Sequence, residues 1–348
     1  MSVNGLIDEE IKIDFVLTWV DCNDFEWQKR KAQYQGAVIS EKEVMRYRDW
    51  DNLKYWFRSV EKYAPWVNNI FFITCGQIPE WLNIDNPKLK IVNHEDYIPA
   101  KYLPTFSSRA IDLNLHRIKE LSEYFVRFDD DMFLTRPVNP CDFFCKKKPR
   151  AVGIADINCV QGKYKDGNNV PVENMFFTTA TDVAVINRNF VKKEVIMKNL
   201  YKWFTPVYGM RGIKNLLLLP FRYFSAFELF HIPYPYLKTT FKKVWDAEGE
   251  MLDMACAHKF RRNTDVNHWI VYYWQLMMGE FVPQRPNVGK SFSISDTSKD
   301  EIIEAITKGK YKMICINDNY DGNDFERMRD DINSAFKMIL SDKSNFEK

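Results

Sequence analysis

The stretch YFVRFDDDMFL, residues 124 to 134, decides how the rest of the chain is interpreted. Its first five residues are mainly aromatic or β-branched, which is the composition of a buried strand. That pattern stops at Asp129, Asp130 and Asp131 and resumes at residue 132. Adjacent carboxylates between apolar walls are costly to bury unless a cation or a proton offsets their charge. The stretch therefore indicates either carboxylates that bind a divalent metal such as Mg²⁺ or a solvated acidic turn.

The composition limits the class of protein. The chain has 348 residues, of which 46% are hydrophobic and 15% aromatic, so one large domain or two modest ones can bury a sizeable core. Lysine and arginine number 49 against 47 aspartates and glutamates, which gives a formal net charge of +2. Because a general nucleic-acid surface needs a basic excess, we expect no nucleic-acid partner.

Cysteine usage and apolar runs bear on the compartment. The seven cysteines are scattered, and although Cys141 and Cys145 have CxxxC spacing, no second pair or nearby histidine completes a zinc set. Free thiols in a reducing compartment are the simplest interpretation. The opening residues MSVNGLIDEEIKID lack the pattern of a signal peptide, and no window of about 18 apolar residues predicts a membrane span. We therefore expect a cytoplasmic protein.

Alternating strand and helix patterns predict an α/β fold. Buried strands are predicted at residues 11–20, 69–74 and 89–92, with a helix over 41–63 between the first two. Such alternation is typical of parallel βαβ units. We therefore expect a mostly parallel sheet of Rossmann or GT-A-like type, flanked by helices, with a largely helical insertion or subdomain.

Two groups of polar residues lie next to these elements. Asp21 and Asp24 follow the first strand, where they either form a turn or contact a ligand, because ligands bind at the carboxyl edge of such sheets. Within residues 103–122, Ser107 or Ser108 can cap a helix that carries His116 and leads directly into the aspartate strand. His116 is either a helix-packing histidine or part of the same site.

The second half of the chain changes character. We divide the chain into an α/β core over residues 1–193, a mainly helical region over 194–280, and a C-terminal segment over 281–348 that completes the core. In the last segment, residues 313–316 read as a strand and residues 325–340 as a helix.

The stretch from residue 197 to residue 238 is basic and aromatic. Glu228 is its one acidic residue, and the basic ones are Lys198, Lys202, Arg211, Lys214, Arg222 and Lys238. Basic residues interleaved with aromatic and short apolar runs are typical of a segment on an anionic membrane surface. An ordinary packed helical subdomain with solvated lysines is the alternative.

Four stretches resemble the four conserved regions of the Stealth family of sugar-1-phosphate transferases, which includes bacterial capsule-polymerising enzymes. The first is IDFVLTWVDCND at 13–24, and the second runs from Arg46 through LSEYFVRFDDDMFL. FHIPYPYLK at 230–238 with KFRRNTDVN resembles the third region, and ICINDN at 314–319 with the closing SNFE resembles the fourth. The order and spacing of these motifs cover most of the chain.

The chain also departs from the family pattern. The family commonly has asparagine where this chain has Asp129, and often glycine where it has Cys22. Residues 200–225 look like an insertion relative to the animal members of the family. These differences affect the assignment of the metal ligands and of the acceptor side.

The resemblance implies a role for individual residues. Asp130 and Asp131 would bind Mg²⁺ or Mn²⁺, and Asp131 could also serve as a base. His231 would be an acid/base group or a phosphate contact, since histidine titrates near neutral pH. Arg261 would neutralise phosphate charge, because a guanidinium matches two phosphate oxygens. The remaining candidates for donor binding are Trp19, Asp21, Asp24, Arg46, Asp49, Arg109, His116 and Asp318.

The resemblance also implies substrates and partners. A UDP-sugar, with UDP-N-acetylhexosamine as the expected donor, would give its sugar-1-phosphate to a hydroxyl of an acceptor glycan and release UMP, in capsular or exopolysaccharide synthesis. A lipid-linked glycan would be met at the inner face of the plasma membrane. A metal-dependent GT-A glycosyltransferase that releases UDP and an inactive glycan-binding homologue are the alternatives.

Overall fold

The computed structural model describes residues 11–35, 48–158, 175–320 and 322–348. A five-stranded sheet lies at its centre, and its strands in chain order are β1 (Ile13–Thr18), β2 (Ile70–Thr74), β3 (Leu89–Asn93), β4 (Tyr124–Asp129) and β10 (Tyr234–Leu237). The spatial order is β10-β4-β1-β2-β3, with β1 to β4 parallel and β10 antiparallel at the edge. The predicted α/β fold with a mostly parallel sheet is confirmed.

The apolar runs of the parallel strands follow from burial on both faces, as is usual for parallel sheets. Along β1, Phe15 and Leu17 pack into one hydrophobic cluster and Val16 packs into another on the opposite face. The register pairs Leu17 with Phe128 and Thr18 with Asp129, so β1 and β4 end side by side. The polar residues that follow both strands therefore share one edge of the sheet.

A second, three-stranded sheet begins directly after the aspartates. Its strands are β5 (Met132–Leu134), β12 (Gly289–Ser293) and β13 (Met313–Asn317), with β13 in the middle, parallel to β12 and antiparallel to β5. The smaller pairings involve β6 (Phe144–Cys145), β7 (Lys148–Ala151), β8 (Ala155–Asp156), β9 (Ala226–Phe227) and β11 (Val282–Pro283). The strand predicted at 313–316 is thus confirmed and lies beside the acidic stretch.

Helices cover both faces of the central sheet. Those before residue 175 are Phe25–Gln35, Leu53–Tyr63, His94–Tyr97, Ser108–Leu113 and Pro140–Phe143. Those after it are Met175–Asn189, Lys192–Lys198, Leu200–Trp203, Ile213–Leu217, Lys238–Ala257, Trp269–Met277, Lys299–Thr307 and Phe325–Ile339. Within the described ranges, none of the helices combines the length and apolar character that crossing a bilayer requires.

Two predicted elements differ from the structure. The helix expected within residues 103–122 begins at Ser108, as the predicted cap at Ser107 or Ser108 implies, but its α-helical part ends at Leu113 and a 3₁₀ turn follows over Leu115–Arg117. At this point the Asn114 side-chain amide donates to the Ala110 carbonyl oxygen at 2.8 Å. The helix expected over 41–63 begins only at Leu53, since residues 48–52 are not helical. The stretch around Pro235 forms the edge strand β10. Proline lacks the N–H that a central strand needs, but an edge strand accepts it.

Only some of the basic residues that suggested membrane binding lack intramolecular partners in the described part of the chain. Lys202 is buried and donates to the Gly279 carbonyl oxygen, and Lys238 donates to the carbonyl oxygens of Ile118 and Leu121. Lys214 forms ion pairs with Asp156 at 3.0 Å and Glu228 at 2.7 Å. These lysines stabilise the fold, so they do not contribute free positive charge to a membrane-facing surface.

Candidate active site

The turn that carries the three aspartates is held between two sheets. It follows β4, and the Asp131 carbonyl oxygen accepts a hydrogen bond from the Ile316 backbone N–H of β13 at 2.9 Å. His231 precedes β10, which pairs antiparallel with β4, and its Nε2 lies 3.8 Å from Oδ2 of Asp129. The structure thus brings together the predicted aspartates and the predicted histidine from residues about 100 positions apart in the chain.

Asp129 belongs to a buried ion network with Arg127 and Asp112. Arg127, which is 2% exposed, donates from Nε and Nη2 to the two oxygens of Asp112 at 2.8 and 2.9 Å. It also donates from Nη1 and Nη2 to Asp129 at 2.8 and 2.5 Å. Burial opposes ionisation of Asp129, but Arg127 and His231 outweigh it and hold its pKa well below the usual range. Asp129 is therefore an anion committed to Arg127.

Asp130 and Asp131 have no such neutralising partner in the part of the chain that the structure describes. The surrounding protein and the charges of Asp131 and Asp129 raise the pKa of Asp130 to about 8, although its side chain reaches solvent. Burial and the charge of Asp129 raise the pKa of Asp131 to about 7. Oδ1 of Asp131 is buried and makes no hydrogen bond within the described residues. Both carboxylates therefore favour a proton or a cation.

Three side chains converge closely enough to hold one ion. Asp131, His231 and Cys315 each offer a ligand atom, and these atoms lie within 4.8 Å of one another. Nδ1 of His231 is buried without a hydrogen-bond partner among the described residues, and burial lowers the pKa of His231 despite the opposing charge of Asp129. A neutral imidazole can bind a metal or accept a proton. The residues present therefore fit a divalent cation.

Cys315 affects which cation fits. Burial and the charge of Asp131 raise the pKa of the Cys315 thiol well above its usual range, so the thiol stays protonated and donates to Asp131. A thiolate would favour a soft metal, whereas carboxylate oxygens favour Mg²⁺ or Mn²⁺. With the thiol protonated, Asp131 is the carboxylate of this group, and its oxygens suit a hard cation better than a soft one.

Arg261 lies on the histidine side of the site. Its Nη2 donates to the Ser108 hydroxyl at 2.6 Å, at the start of the helix Ser108–Leu113. Its charge acts on the pKa of both His231 and His268, which places it near the acidic turn. His268 is buried, and a hydrogen bond of 2.7 Å joins its Nδ1 to the Tyr236 hydroxyl.

The residues after β1 are held by one glutamine. The Gln77 side chain accepts from the Asp21 backbone N–H at 2.8 Å and donates to the Asp24 carboxylate at 2.9 Å. Asp24 also accepts from the Glu26 backbone N–H at 2.9 Å, which caps the helix Phe25–Gln35, and these bonds lower the pKa of Asp24. Trp19 stacks on Phe72 with ring centroids 5.5 Å apart. This polar turn adjoins the sheet edge that carries the aspartates.

Comparison with known proteins identifies the family. Models of Stealth conserved regions 1 and 2 match residues 12–38 and 46–152. The capsular polysaccharide phosphotransferase WcwK of Streptococcus pneumoniae is 40% identical over 341 residues, 97% of this chain and 98% of the relative. The chain belongs to the Stealth family. The receptor polysaccharide phosphotransferase WefC of Streptococcus oralis is 38% identical over 341 residues (97% and 99% of the two chains), and the exopolysaccharide phosphotransferase cps2G of Lactiplantibacillus plantarum 38% over 337 (97% and 96%). This Stealth protein is a phosphotransferase.

Two further predicted donor-binding residues of the Stealth protein, Asp318 and Asp49, lie in its described ranges. The Asp318 carboxylate accepts hydrogen bonds from the Arg48 guanidinium at 3.0 and 2.8 Å and from the Trp50 indole N–H at 3.0 Å. It therefore ties the chain before the helix Leu53–Tyr63 to the end of β13. Asp49 is exposed, and its charge helps to raise the pKa of Asp130, so it lies on the same side of the protein as the acidic turn. Arg46 lies outside the described residues.

Arg109 and His116 of the Stealth protein pack between helices. Arg109 is buried and donates to Asp265 at 3.1 Å and to the Thr178 hydroxyl at 2.8 Å. His116 lies 6.0 Å, centroid to centroid, from both Phe241 and Trp245, and burial lowers its pKa to about 4. None of these contacts reaches the aspartates, so the structure does not bring these two residues to the acidic turn.

Sequence reasoning missed Arg127, Asp112, His268 and Cys315 as parts of the Stealth site. Arg127 carried a detectable signal, because an arginine in the middle of a buried apolar strand needs a buried counter-ion. Asp112 and His268 carried none, since their partners lie on distant elements. Cys315 stood inside the ICINDN motif but was counted only as a free thiol, as it is together with the other five cysteines of the described ranges.

Proposed function

We propose that this Stealth phosphotransferase moves a sugar-1-phosphate from a UDP-sugar to a hydroxyl of an acceptor glycan, in capsular or exopolysaccharide synthesis. The acceptor oxygen attacks the β-phosphorus of the donor, the bond from that phosphorus to the oxygen that bridges the two phosphates breaks, and UMP leaves. The product is a phosphodiester. The observation that supports this most is the convergence of Asp131 and His231, each with a buried polar atom that lacks a partner.

The side chains divide the work of the reaction. Asp130 and Asp131 would hold Mg²⁺ or Mn²⁺, which when bound supplies positive charge for the donor diphosphate. His231 is neutral at pH 7 and takes the proton of the acceptor hydroxyl. Asp129 faces His231 and favours the imidazolium that results. Arg261 offers its guanidinium to the phosphoryl oxygens during transfer.

The donor would lie along the carboxyl edge of the central sheet. Ligands of open α/β sheets bind outside the carboxyl ends of the strands, where Trp19, Asp21 and Asp24 follow β1. The charge of Asp49 helps to raise the pKa of both Cys22 and Asp130, so Asp49 is close enough to act on this turn and on the acidic residues. We assign the uridine and ribose to this end and the diphosphate to the Asp130–Asp131 end, with a UDP-N-acetylhexosamine as the first donor to test.

Exposed apolar side chains support contact with the inner membrane face. Met210 is 82% exposed and Leu217 is 67% exposed, and Leu216 and Phe221 of the same stretch of chain are exposed as well. Contiguous exposed apolar patches mark interaction surfaces. This surface would bring the enzyme to a lipid-linked glycan acceptor without a membrane-spanning helix.

A nucleotide product assay tests the proposal. The protein is incubated with a panel of UDP-sugars, a glycan acceptor and Mn²⁺, and the released nucleotide is identified by chromatography. UMP supports sugar-1-phosphate transfer. UDP would indicate a conventional GT-A glycosyltransferase, and no release from any donor, with retained glycan binding, would indicate an inactive binding homologue.

A further inference from the structure

A basic groove lies at the opposite end of the second sheet from the aspartates. Strands β5 and β13 are antiparallel, with Leu134 opposite Met313 and Met132 opposite Cys315. Asp131 precedes β5 and Asp318 follows β13, so both carboxylates lie at one end of this strand pair. The residues that follow β5 and precede β13 lie at the other end, where they line a cavity of about 510 Å³.

Five cationic side chains line this cavity, and the four other than Lys312 come from four separate segments. They are Arg136 after β5, Arg150 on β7, Arg285 between β11 and β12, and Lys310 before β13. Backbone carbonyl oxygens hold two of them in place: Gly309 accepts from Arg136 at 3.2 Å, and Pro283 accepts from Arg150 at 3.0 Å. The groove is therefore assembled by the tertiary fold rather than by a basic run in the sequence.

None of these four side chains forms an ion pair with a described residue, although Lys310 helps to lower the pKa of Glu304, which lies outside the cavity lining. The one lining carboxylate, Asp142, is taken by Lys312, whose Nζ lies 2.7 Å from both of its oxygens. No carboxylate within the described ranges forms an ion pair with Arg136, Arg150, Arg285 or Lys310. Four cations that face one cavity repel one another unless an anion joins them. Guanidinium groups match the paired oxygens of a phosphate group.

The groove is continuous with the exposed apolar surface. Val207, Arg285 and Asn287 line both the basic cavity and an adjoining one of about 540 Å³. Met210 lines the adjoining cavity and is 82% exposed, close in the chain to the exposed Leu216 and Leu217. Cations that form no ion pair with the described residues lie here beside exposed apolar side chains. Together they complement a molecule that has phosphate oxygens at one end and hydrocarbon at the other.

We infer that the groove of Arg136, Arg150, Arg285 and Lys310 binds the phosphate group of a membrane lipid while the neighbouring apolar side chains enter the hydrocarbon boundary. This assignment rests on the membrane contact in the proposed function and is independent of the transfer reaction. It gives the enzyme a second phosphate site, which fixes its orientation at the membrane and leaves the aspartate edge open to the nucleotide.

Co-sedimentation with vesicles tests the inference. The full chain is mixed with phosphatidylcholine vesicles, or with vesicles that also contain phosphatidylglycerol, at low and high salt and without donor or metal. We expect preferential binding to the anionic vesicles and weaker binding at high salt, because screening shortens the reach of the charges. Since each basic residue at an anionic surface contributes about a fivefold increase in affinity, the double variant Arg136→Gln/Arg285→Gln should lose roughly 25-fold.

A matched control removes the same charge elsewhere. Arg327→Gln/Lys337→Gln changes two exposed residues of the helix Phe325–Ile339 that do not line the groove. It should keep the affinity of the unchanged protein. Equal losses in both double variants, or no loss in either, would overturn the groove assignment. Equal binding to both vesicle types would also overturn it, while leaving the apolar contact in place.

A soluble ligand separates the lipid from a free anion. Inorganic pyrophosphate is titrated calorimetrically into the unchanged protein and into Arg136→Gln/Arg285→Gln. Weak pyrophosphate binding that the double variant loses, together with tight binding to anionic vesicles, supports a lipid phosphate. Tight pyrophosphate binding without any vesicle binding would overturn the lipid as the source. UMP release is measured separately, so failure of this inference and failure of the transfer reaction are distinguishable.

Discussion

Nε2 of His231 lies 3.8 Å from Oδ2 of Asp129, and the same carboxylate is held by the buried guanidinium of Arg127. This relationship separates the three adjacent aspartates into two roles. Asp129 faces His231 and is neutralised by Arg127. Asp130 and Asp131 have raised pKa values and no neutralising partner among the described residues, so they favour a proton or a cation. The antiparallel pairing of β10 with β4 creates the contact, because it places the chain before Tyr234 beside the end of β4.

Replacement of His231 by alanine should lower turnover strongly. A positioned general base contributes roughly 10²–10⁴-fold to the rate, so kcat should fall by that factor while the KM for the donor changes little. His116→Gln is the control, since His116 packs against Phe241 and Trp245. Steady-state kinetics on folded protein measures both. A His231→Ala variant with the turnover of the unchanged enzyme would exclude this histidine as the base.

Arg261→Lys should not be conservative. The guanidinium fork becomes a point charge, and loss of a charge-assisted hydrogen bond of about 1.5–3 kcal/mol should reduce turnover roughly ten- to a hundredfold. The neighbouring Arg262 is exposed and serves as the control in Arg262→Lys. If both lysine variants keep full activity, Arg261 does not contact the phosphoryl group.

The strand positions were largely predictable from the sequence, whereas the ion network was not. β1, β2 and β4 are continuous apolar runs buried on both faces, so their composition alone identifies them. The cluster of Asp130 and Asp131 was visible because three carboxylates interrupt such a run. The pairing of Arg127 with Asp112 depends on tertiary contacts between segments 15 residues apart, and no local periodicity encodes it.

Local propensity failed where a side chain competed with the backbone. The apolar periodicity after Ser108 predicts one continuous helix, but the α-helix ends at Leu113, where the Asn114 amide donates to a carbonyl oxygen four residues back, and the chain continues as a 3₁₀ turn. Strand β10 contains Pro235, which the position of the strand at the sheet edge allows because a missing N–H costs little there. In both cases the tertiary environment decided between two conformations that the sequence allows.

Arg127→Met should destabilise the fold. It leaves Asp112 and Asp129 without their counter-ion in a buried site, and breaking a buried ion pair costs about 3–5 kcal/mol. Chemical denaturation followed by circular dichroism measures the free energy of unfolding. The rescue variant adds Asp112→Asn and Asp129→Asn, which removes the stranded charges and should recover part of the loss. A change below about 1 kcal/mol for Arg127→Met would show that the network does not stabilise the native state.

Stabilisation by metal should increase with pH. The pKa values of Asp130 and Asp131 are raised from 3.8 to about 8 and about 7, so the native protein without metal keeps protons that the unfolded chain has released. Its stability from these groups is therefore lost as pH rises through that window. A divalent cation binds the ionised carboxylates and offsets the loss. Thermal melting should show a larger Mn²⁺-induced increase in Tm near pH 9 than near pH 5.

The control for this pH dependence is Asp130→Asn/Asp131→Asn. It removes both titrating carboxylates and should show little Mn²⁺-induced change in Tm at either pH. Activity of the unchanged enzyme should also vanish in excess EDTA and return with Mn²⁺ or Mg²⁺. An Mn²⁺ effect that is equal at both pH values, or that survives in the double variant, would place the metal elsewhere.

The fate of the β-phosphorus of the donor tests the central claim most directly. A UDP-sugar labelled with ³²P at its β-phosphorus, the one bonded to the sugar, is incubated with enzyme, metal and glycan acceptor, and nucleotide and glycan are then separated. Sugar-1-phosphate transfer predicts that the label appears in the glycan and that the nucleotide is unlabelled UMP. Label that stays in UDP, with unlabelled sugar on the glycan, would contradict the account.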